Sequence, residues 1–315
     1  MGHLYRIEKL VNQLRQKSLC EITLFTQKYN ESVAIYKKIE VDRIIEIEPN
    51  ISVDDEIEEL KKILKDSYDI LINDQLNTEI EIAKLLTKYS KKNITFDDLG
   101  DGNSLFNHII NVLYPSEKRV DNEINSYSYM LLNDYSQIKE SVAFKEDIKS
   151  IFINQGAADT WGAIPDMIKD LNSMSNDFKI KVLLGPSFQH FYELAEALKR
   201  NKKRIEIFNV VDSVVELAKD CDLAILGAGN TLFEVASLGI PIIASTREKK
   251  ELITIKRLLK DNIVYANGTI YRDGLDALVQ KVIEDKSGRE IKYTQNRDLF
   301  QYNGLDKIVK LIIGE

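Results

Sequence analysis

The chain has 315 residues, 44% of them hydrophobic and 30% charged, a globular composition long enough for two domains of about 150 residues each. Fifty acidic against 43 basic residues give a formal charge of −7. No stretch concentrates Lys and Arg with aromatics, so disorder, low-complexity filaments and a general nucleic-acid groove are argued against. Cys20 and Cys221 form no CxxC or Cys/His cluster, so neither a disulfide framework nor a structural zinc site is indicated. No apolar run reaches the roughly 18–20 residues that cross a bilayer. The N-terminus enters a helical pattern without the apolar core of a signal peptide. The expectation is a cytoplasmic protein with no integral membrane segment.

In chain order, the stripe Leu4, Ile7, Leu10, Val11 and Leu14 marks a first amphipathic helix, and Ile57, Leu60, Ile63 and Leu64 mark another. Between and after them, Glu21–Thr26, Arg43–Glu48, Asp69–Asn73, Asn93–Phe96 and His108–Leu113 read as strands. This βαβ rhythm implies a parallel sheet covered on both faces. After Pro115 the chain turns polar, and Lys139–Lys149 is charged, which places a boundary between 115 and 150.

A second series follows, with strands expected at Ile151–Asn154, Ile180–Leu184, Ile205–Val210, Leu223–Leu226, Pro241–Ala244 and Asn262–Tyr265. Helices are expected near Ile164–Leu171, Phe191–Asn201, Val214–Asp220, Leu232–Leu238 and Lys249–Lys260. The fold class is therefore α/β with two Rossmann-like domains, 1–145 and 146–315, facing each other across a cleft. The last helix is a candidate to pack back on the first domain.

The most informative stretch is Leu223-Ala-Ile-Leu-Gly227-Ala-Gly229-Asn230-Thr231-Leu-Phe-Glu234. A strand, a small-residue turn and a helix start make an anion site: glycines admit a phosphate, helix-start amides bind it, and Asn230 or Thr231 can cap or donate. Glu234 can accept from a ribose diol. Gln155-Gly156-Ala157-Ala158-Asp159 forms a second strand-end loop, and Leu184-Gly185-Pro186-Ser187 a third, weaker one. Taken alone, such loops are common in α/β proteins without a ligand. Trp161 can wall the crevice or simply pack. His108 and His190 read more naturally as structural or surface histidines than as ligands, with His190 nearer a strand-end loop, and Lys249, Lys250 and Lys256 as a solvated helix face.

Taken together, these residues resemble the nucleotide-sugar enzymes of the glycosyltransferase-B fold, and most closely the UDP-sugar hydrolases of pseudaminic acid biosynthesis and their spore-coat polysaccharide relatives. The resemblance rests on Gly2-His3-Leu4-Tyr5-Arg6 against G-x-G-H-x-x-R and on Asp97-Asp98-Leu99 against D-D-L. Tyr127-Ser128-Tyr129-Met130-Leu131-Leu132 matches a linker motif with Asn133 in place of arginine, and Gly156-Ala157-Ala158-Asp159 matches G-G-T-D. Gly227–Glu234 followed by Leu238-Gly239-Ile240-Pro241 looks like the family's uridine-nucleotide signature.

The resemblance implies hydrolysis at the anomeric carbon of a UDP-linked amino-deoxy sugar, with His3 as base, no metal and no cofactor. An imidazole can take a proton from water near neutrality while amides hold the departing diphosphate. Asp98 is a second catalytic candidate, although adjacent Asp97 and Asp98 on an extended segment would point to opposite faces. Gly156, Ala157, Asp159, Gly185, Gly229, Asn230, Thr231 and Glu234 are the nucleotide-binding candidates. The chain also departs from the pattern. It opens at the Gly-His pair, so the preceding strand is expected to be absent, through a late start or a shortened member; and Asn73-Asp74-Gln75-Leu76 stands where Asp-His-Tyr is common. A glycosyltransferase of the same fold, or a non-catalytic nucleotide-sugar-binding relative, remain the alternatives.

Overall fold

The computed structural model describes residues 2–64, 67–116, 120–209, 211–267, 271, 274–301 and 304–314. Two compact units emerge: the chain up to Leu131 together with its C-terminal segment, and a second unit beginning at Leu132.

In the first unit, α1 (Gly2–Lys17) buries Leu10, Val11 and Leu14 along one stripe. Strand β1 (Thr23–Gln27) is followed by α2 (Asn30–Tyr36) and pairs in parallel with β2 (Arg43–Ile47). Ser52 caps α3 (Val53–Ile63) by accepting from the Asp55 amide, with acids in its first turn and Lys61 and Lys62 in its last, as the helix dipole favours. Then come β3 (Tyr68–Asn73), α4 (Ile80–Lys88), β4 (Ser90–Phe96), β5 (His108–Ile110) and β6 (Glu123–Ile124), a parallel sheet in the order β3-β4-β5-β6. Among the described residues, β1 pairs only with β2 and β3 only with β4, so this unit's strands are divided between two sheets. A shared apolar cluster joins them: Ile47, Leu60, Leu64, Ile82 and Phe106 pack with Phe25, whose ring meets Tyr68 edge-on at 6.0 Å.

The second unit opens with α5 (Ser136–Ser141) and runs through β7 (Ser150–Asn154), α6 (Ala163–Ser173), β8 (Lys179–Leu183), α7 (Phe191–Lys199), β9 (Ile205–Phe208) and α8 (Val214–Ala218). It continues with β10 (Leu223–Leu226), α9 (Asn230–Ser237), β11 (Ile242–Ala244), α10 (Glu251–Lys260), α11 (Leu275–Glu284) and α12 (Lys286–Leu299). Its parallel sheet has the order β11-β10-β7-β8-β9. Strands β7, β10 and β11 are buried throughout, which is why they read as unbroken apolar runs. Finally, α13 (Gly304–Ile313) belongs to the first unit, where Met130 main chain leaves no space for a side chain on Gly304.

Three sequence expectations need correction. The division falls after Leu131 rather than after residue 145, because the charged segment is pinned to α12: Arg297 donates to the Lys139 carbonyl at 2.7 Å and Tyr293 to that of Val142 at 2.9 Å. The sixth strand of the second sheet reduces to one bridge, Ile243 to Tyr265. Asn262 has a φ of 57°, and Lys292 and Asn296 on α12 donate to the carbonyls of Asn262 and Ile263 that a longer strand would share with a neighbour. The expected Ile205–Val210 strand stops at Phe208, and Val210 lies outside the described residues.

Candidate functional site

The second unit's chain order reverses between β7 and β10. From β7 the strands run outward to β8 and β9, whereas β10, β7's other neighbour, leads outward to β11. At such a switch point the loops leaving the two central strands diverge, and ligands of open α/β sheets bind there. The loop after β7 holds Gly156 and Ala157, both exposed, and a side chain at Gly156 (φ 73°) would meet nothing within 4 Å. The loop after β10 holds Gly229, equally open, from which α9 starts with no side chain capping its first amides. Asn230 and Thr231 form that first turn, so unpaired N–H groups are offered at the crevice.

Gly185, leaving β8, is held under the first loop. A Cβ there would stand closer than 3.0 Å to the carbonyl oxygens of Ala157 and Gly156, and the Ser187 amide donates to Ala157 at 2.9 Å. Arg247 clips the far end of the same loop, donating to the Trp161 carbonyl at 2.7 Å and pairing with Asp166 at 2.6 Å. Trp161 itself is 59% exposed. Asp159 serves the loop's own architecture, since its carboxylate accepts from the Ala163 and Ile164 amides at 2.7 and 2.9 Å and closes the start of α6. Burial raises its pKa, and these amide bonds oppose the rise. Glu234, one turn into α9, accepts from the Tyr135 hydroxyl at 3.0 Å, and Asn133 donates to that same hydroxyl at 2.9 Å.

In the first unit, His3 is joined to a partner the sequence did not suggest. Its Nδ1 lies 2.6 Å from Asp74 Oδ1, at the exit of β3. Arg6, one turn further along α1, binds both Asp74 oxygens at 2.9 and 3.0 Å and also donates to Asp97. Burial works against the Arg6 charge, but Asp97 and Asp74 outweigh it and raise its pKa above the ordinary arginine value. Side chains of Asp74, Asp97 and Arg6 are 5%, 4% and 13% exposed, whereas that of His3 is 43% exposed. One accessible imidazole thus rests on a buried frame of one guanidinium and two carboxylates.

Asp98 does not join this group. It is fully buried, and its carboxylate accepts from the Thr78 and Gly100 amides, each at 2.9 Å, and from the Thr95 hydroxyl at 2.9 Å. That saturation makes it a staple for its own loop rather than a carboxylate facing a ligand. The backbone also differs from the extended segment expected, since Asp97 adopts φ 44° and thereby turns toward Arg6 and the Leu113 amide. His108 lies within the β4–β5 pairing, and burial, followed by Lys92, lowers its pKa. His190 lies beside Gly162 and 3.3 Å from the Thr160 carbonyl. Sequence reasoning quoted Asp74 only within a departure from the family pattern and passed over Arg247, Tyr135 and Glu251; Arg6, inside the Gly-His motif, carried a readable signal. Among the described residues no helix is long and apolar enough to cross a membrane, and no group of three His, Cys, Asp or Glu could hold a metal ion.

No family model matches the chain. It is similar to the uncharacterized protein MJ1062 of Methanocaldococcus jannaschii, 33% identical over 261 residues, covering 77% of this chain and 52% of that one. The chain thus spans about half the length of that relative. It is also similar to the spore coat polysaccharide biosynthesis protein SpsG of Bacillus subtilis, 23% identical over 278 residues, 81% of this chain and 76% of the other. Among solved structures, MurG of Acinetobacter baumannii matches with a TM-score of 0.73 at 15% identity, over 100% of this chain and 96% of its own. UDP-GlcNAc 2-epimerase of Neisseria meningitidis bound to UDP-GlcNAc matches at 0.62 and 13% identity, over 100% and 97%. The chain therefore has an α/β fold with parallel sheets that matches glycosyltransferase-B structures.

Proposed function

We propose that this chain hydrolyses a UDP-linked amino-deoxy sugar of a surface-polysaccharide pathway, releasing UDP and the free sugar. The observation that carries the reading is the pair of open glycine loops after β7 and β10, backed by the uncapped start of α9. Similarity to SpsG and the fold shared with UDP-sugar enzymes support the choice of ligand class.

In this reading Gly156, Ala157, Gly229, Asn230 and Thr231 hold the diphosphate, Gly185 and Asp159 shape the loops, and Glu234 takes the ribose hydroxyls. His3 is the base. With Nδ1 on Asp74, Nε2 is the nitrogen left to receive a proton, and the Asp74 carboxylate fixes the ring and stabilises the imidazolium. Water attacks the anomeric carbon, the bond from that carbon to the diphosphate oxygen breaks, the water proton passes to Nε2, and UDP leaves with the electron pair. Amides at the leaving oxygens lower the barrier to that charge separation.

The test is incubation with a panel of UDP-sugars while free UDP is assayed, with and without candidate acceptors. UDP release without acceptor is expected, and His3→Ala should lower turnover by about 10²–10⁴-fold with UDP affinity nearly intact. Release only with an acceptor would assign a transferase. UDP binding without turnover of any sugar would assign a binding relative.

A further inference from the structure

We propose that the outward face of α7, together with the basic turn that follows it, docks the second unit on an anionic lipid bilayer. Neither the docking nor its test requires a nucleotide. Lys199-Arg200-Asn201-Lys202-Lys203-Arg204 places five cations within six positions of a chain whose formal charge is −7. The side chain of Asn172 orders this turn: it donates to the Arg200 carbonyl at 2.9 Å and accepts from the Lys202 amide at 2.7 Å. Lys203 turns inward, with its ammonium on the carbonyls of Met174 and Asn176 and over the Phe178 ring. Lys199 pairs with Glu196 and Arg204 with Glu206, largely solvated pairs of the kind that contribute little. Arg200 and Lys202 are exposed and meet no carboxylate among the described residues.

The other end of α7 carries the aromatic half of the surface. Tyr192 is 75% exposed and Phe191 59%, and the Tyr192 hydroxyl has no partner among the described residues. Tyr192, Ala195 and Lys199 recur at spacings of three and four and are all exposed, so they share one stripe of the helix, opposite the buried Leu194 and Ala197. Glu193 flanks this stripe, and Glu196 is taken up by Lys199. Trp161, also exposed, belongs to the same end, because its neighbours Thr160 and Gly162 both meet His190, the residue before α7. Three large aromatics gathered at one helix end form the kind of exposed apolar patch that marks an interaction surface.

The two halves together select the partner. Aromatic rings settle at the boundary between headgroups and acyl chains while Lys and Arg bind anionic headgroups, so a helix with rings at one end and cations at the other satisfies both by lying in the interface plane. A single-stranded nucleic acid is held differently, by rings and cations interleaved along one groove, whereas Tyr192 and the first of the cations stand about 10 Å apart along α7. The negative charge of the whole chain does not forbid the approach: at about 0.15 M salt, charges more than about 8 Å away are largely screened, and the local cluster decides. Each basic residue near an anionic surface is worth a factor of about five in partition.

The test is flotation of the full chain with vesicles of phosphatidylcholine alone or mixed with phosphatidylglycerol. Binding is expected to the anionic vesicles only, at low salt, with release as salt rises toward about 1 M and the screening length shrinks to about 3 Å. Arg200→Gln with Lys202→Gln should weaken partition about 25-fold. That variant should melt at the same temperature as the parent, because neither side chain has a partner and the turn is held through its main chain. Tyr192→Ser should weaken partition about three-fold or more, since no ring then leaves water on docking. Lys61→Gln with Lys62→Gln on α3 makes the same change in net charge and should leave partition unchanged. No binding to anionic vesicles, equal binding to neutral ones, or equal losses from the two double variants would overturn the docking. So would an unaltered partition in Tyr192→Ser, which would leave charge alone at work, or tighter binding to a single-stranded oligonucleotide than to vesicles.

Discussion

Replacing Asp74 by asparagine is the sharpest perturbation of the His3 frame. The side chain is 5% exposed and carries one contact to His3 and two to Arg6. Asparagine keeps the shape, removes the charge and turns one acceptor into a donor facing the donors of Arg6 or His3. Breaking a buried pair from one side costs about 3–5 kcal/mol. Asp97 still balances Arg6, so the lower end applies: about 3 kcal/mol, or roughly 10 °C in the melting of the first unit. Turnover should fall by about 10² or more, because the imidazole loses the group that orients it. Urea titration and UDP-release assays measure the two effects. The double variant Arg6→Met with Asp74→Leu should not recover stability, since it strands the buried Asp97 carboxylate that Arg6 also binds. A loss below about 1 kcal/mol for Asp74→Asn would refute the buried frame, and full activity would refute the orienting role of Asp74.

Glu234→Ala removes a charge-assisted acceptor and should weaken UDP binding about ten- to a hundredfold by calorimetry; unchanged affinity would take Glu234 out of the ribose site. Asp166 gives an acid-sensitive clamp. Burial pushes its pKa up, but hydrogen bonds from Lys169 and Arg247 prevail and leave it below the ordinary 3.8. A lowered folded-state pKa contributes stability above the unfolded value, lost as pH falls through the folded one. Asp166→Asn should therefore melt lower than the parent near about pH 7, and the gap should close below about pH 4. A gap independent of pH would show that the Asp166 charge is not involved.

How much of the fold and site is legible in the sequence depends on burial. Leu223–Leu226 is readable to the residue because both faces of β10 are covered and its residues are all apolar. Glu123–Ile124 escapes notice because a two-residue strand has no periodicity, and main-chain bonds from Ile109 to Asn122 and from Asn111 to Ile124 hold it. The glycines of the two loops are legible because open backbone at a strand end leaves a compositional mark. Side-chain partnerships are not. His3 and Asp74 are 71 positions apart and meet only because α1 lies at the exit of β3. Asp98 reads as a cleft carboxylate in the sequence because its four nearest donors come from three separate stretches of chain, including Asn73.

The most direct measurement is amide hydrogen exchange of the full chain with and without saturating UDP. Slowed exchange is expected at Ala157 and at Gly229–Thr231, in the loops that leave β7 and β10 at the switch point. Protection confined to other segments, or none at UDP concentrations well above those typical of nucleotide-sugar enzymes, would contradict the assignment of the nucleotide to these loops.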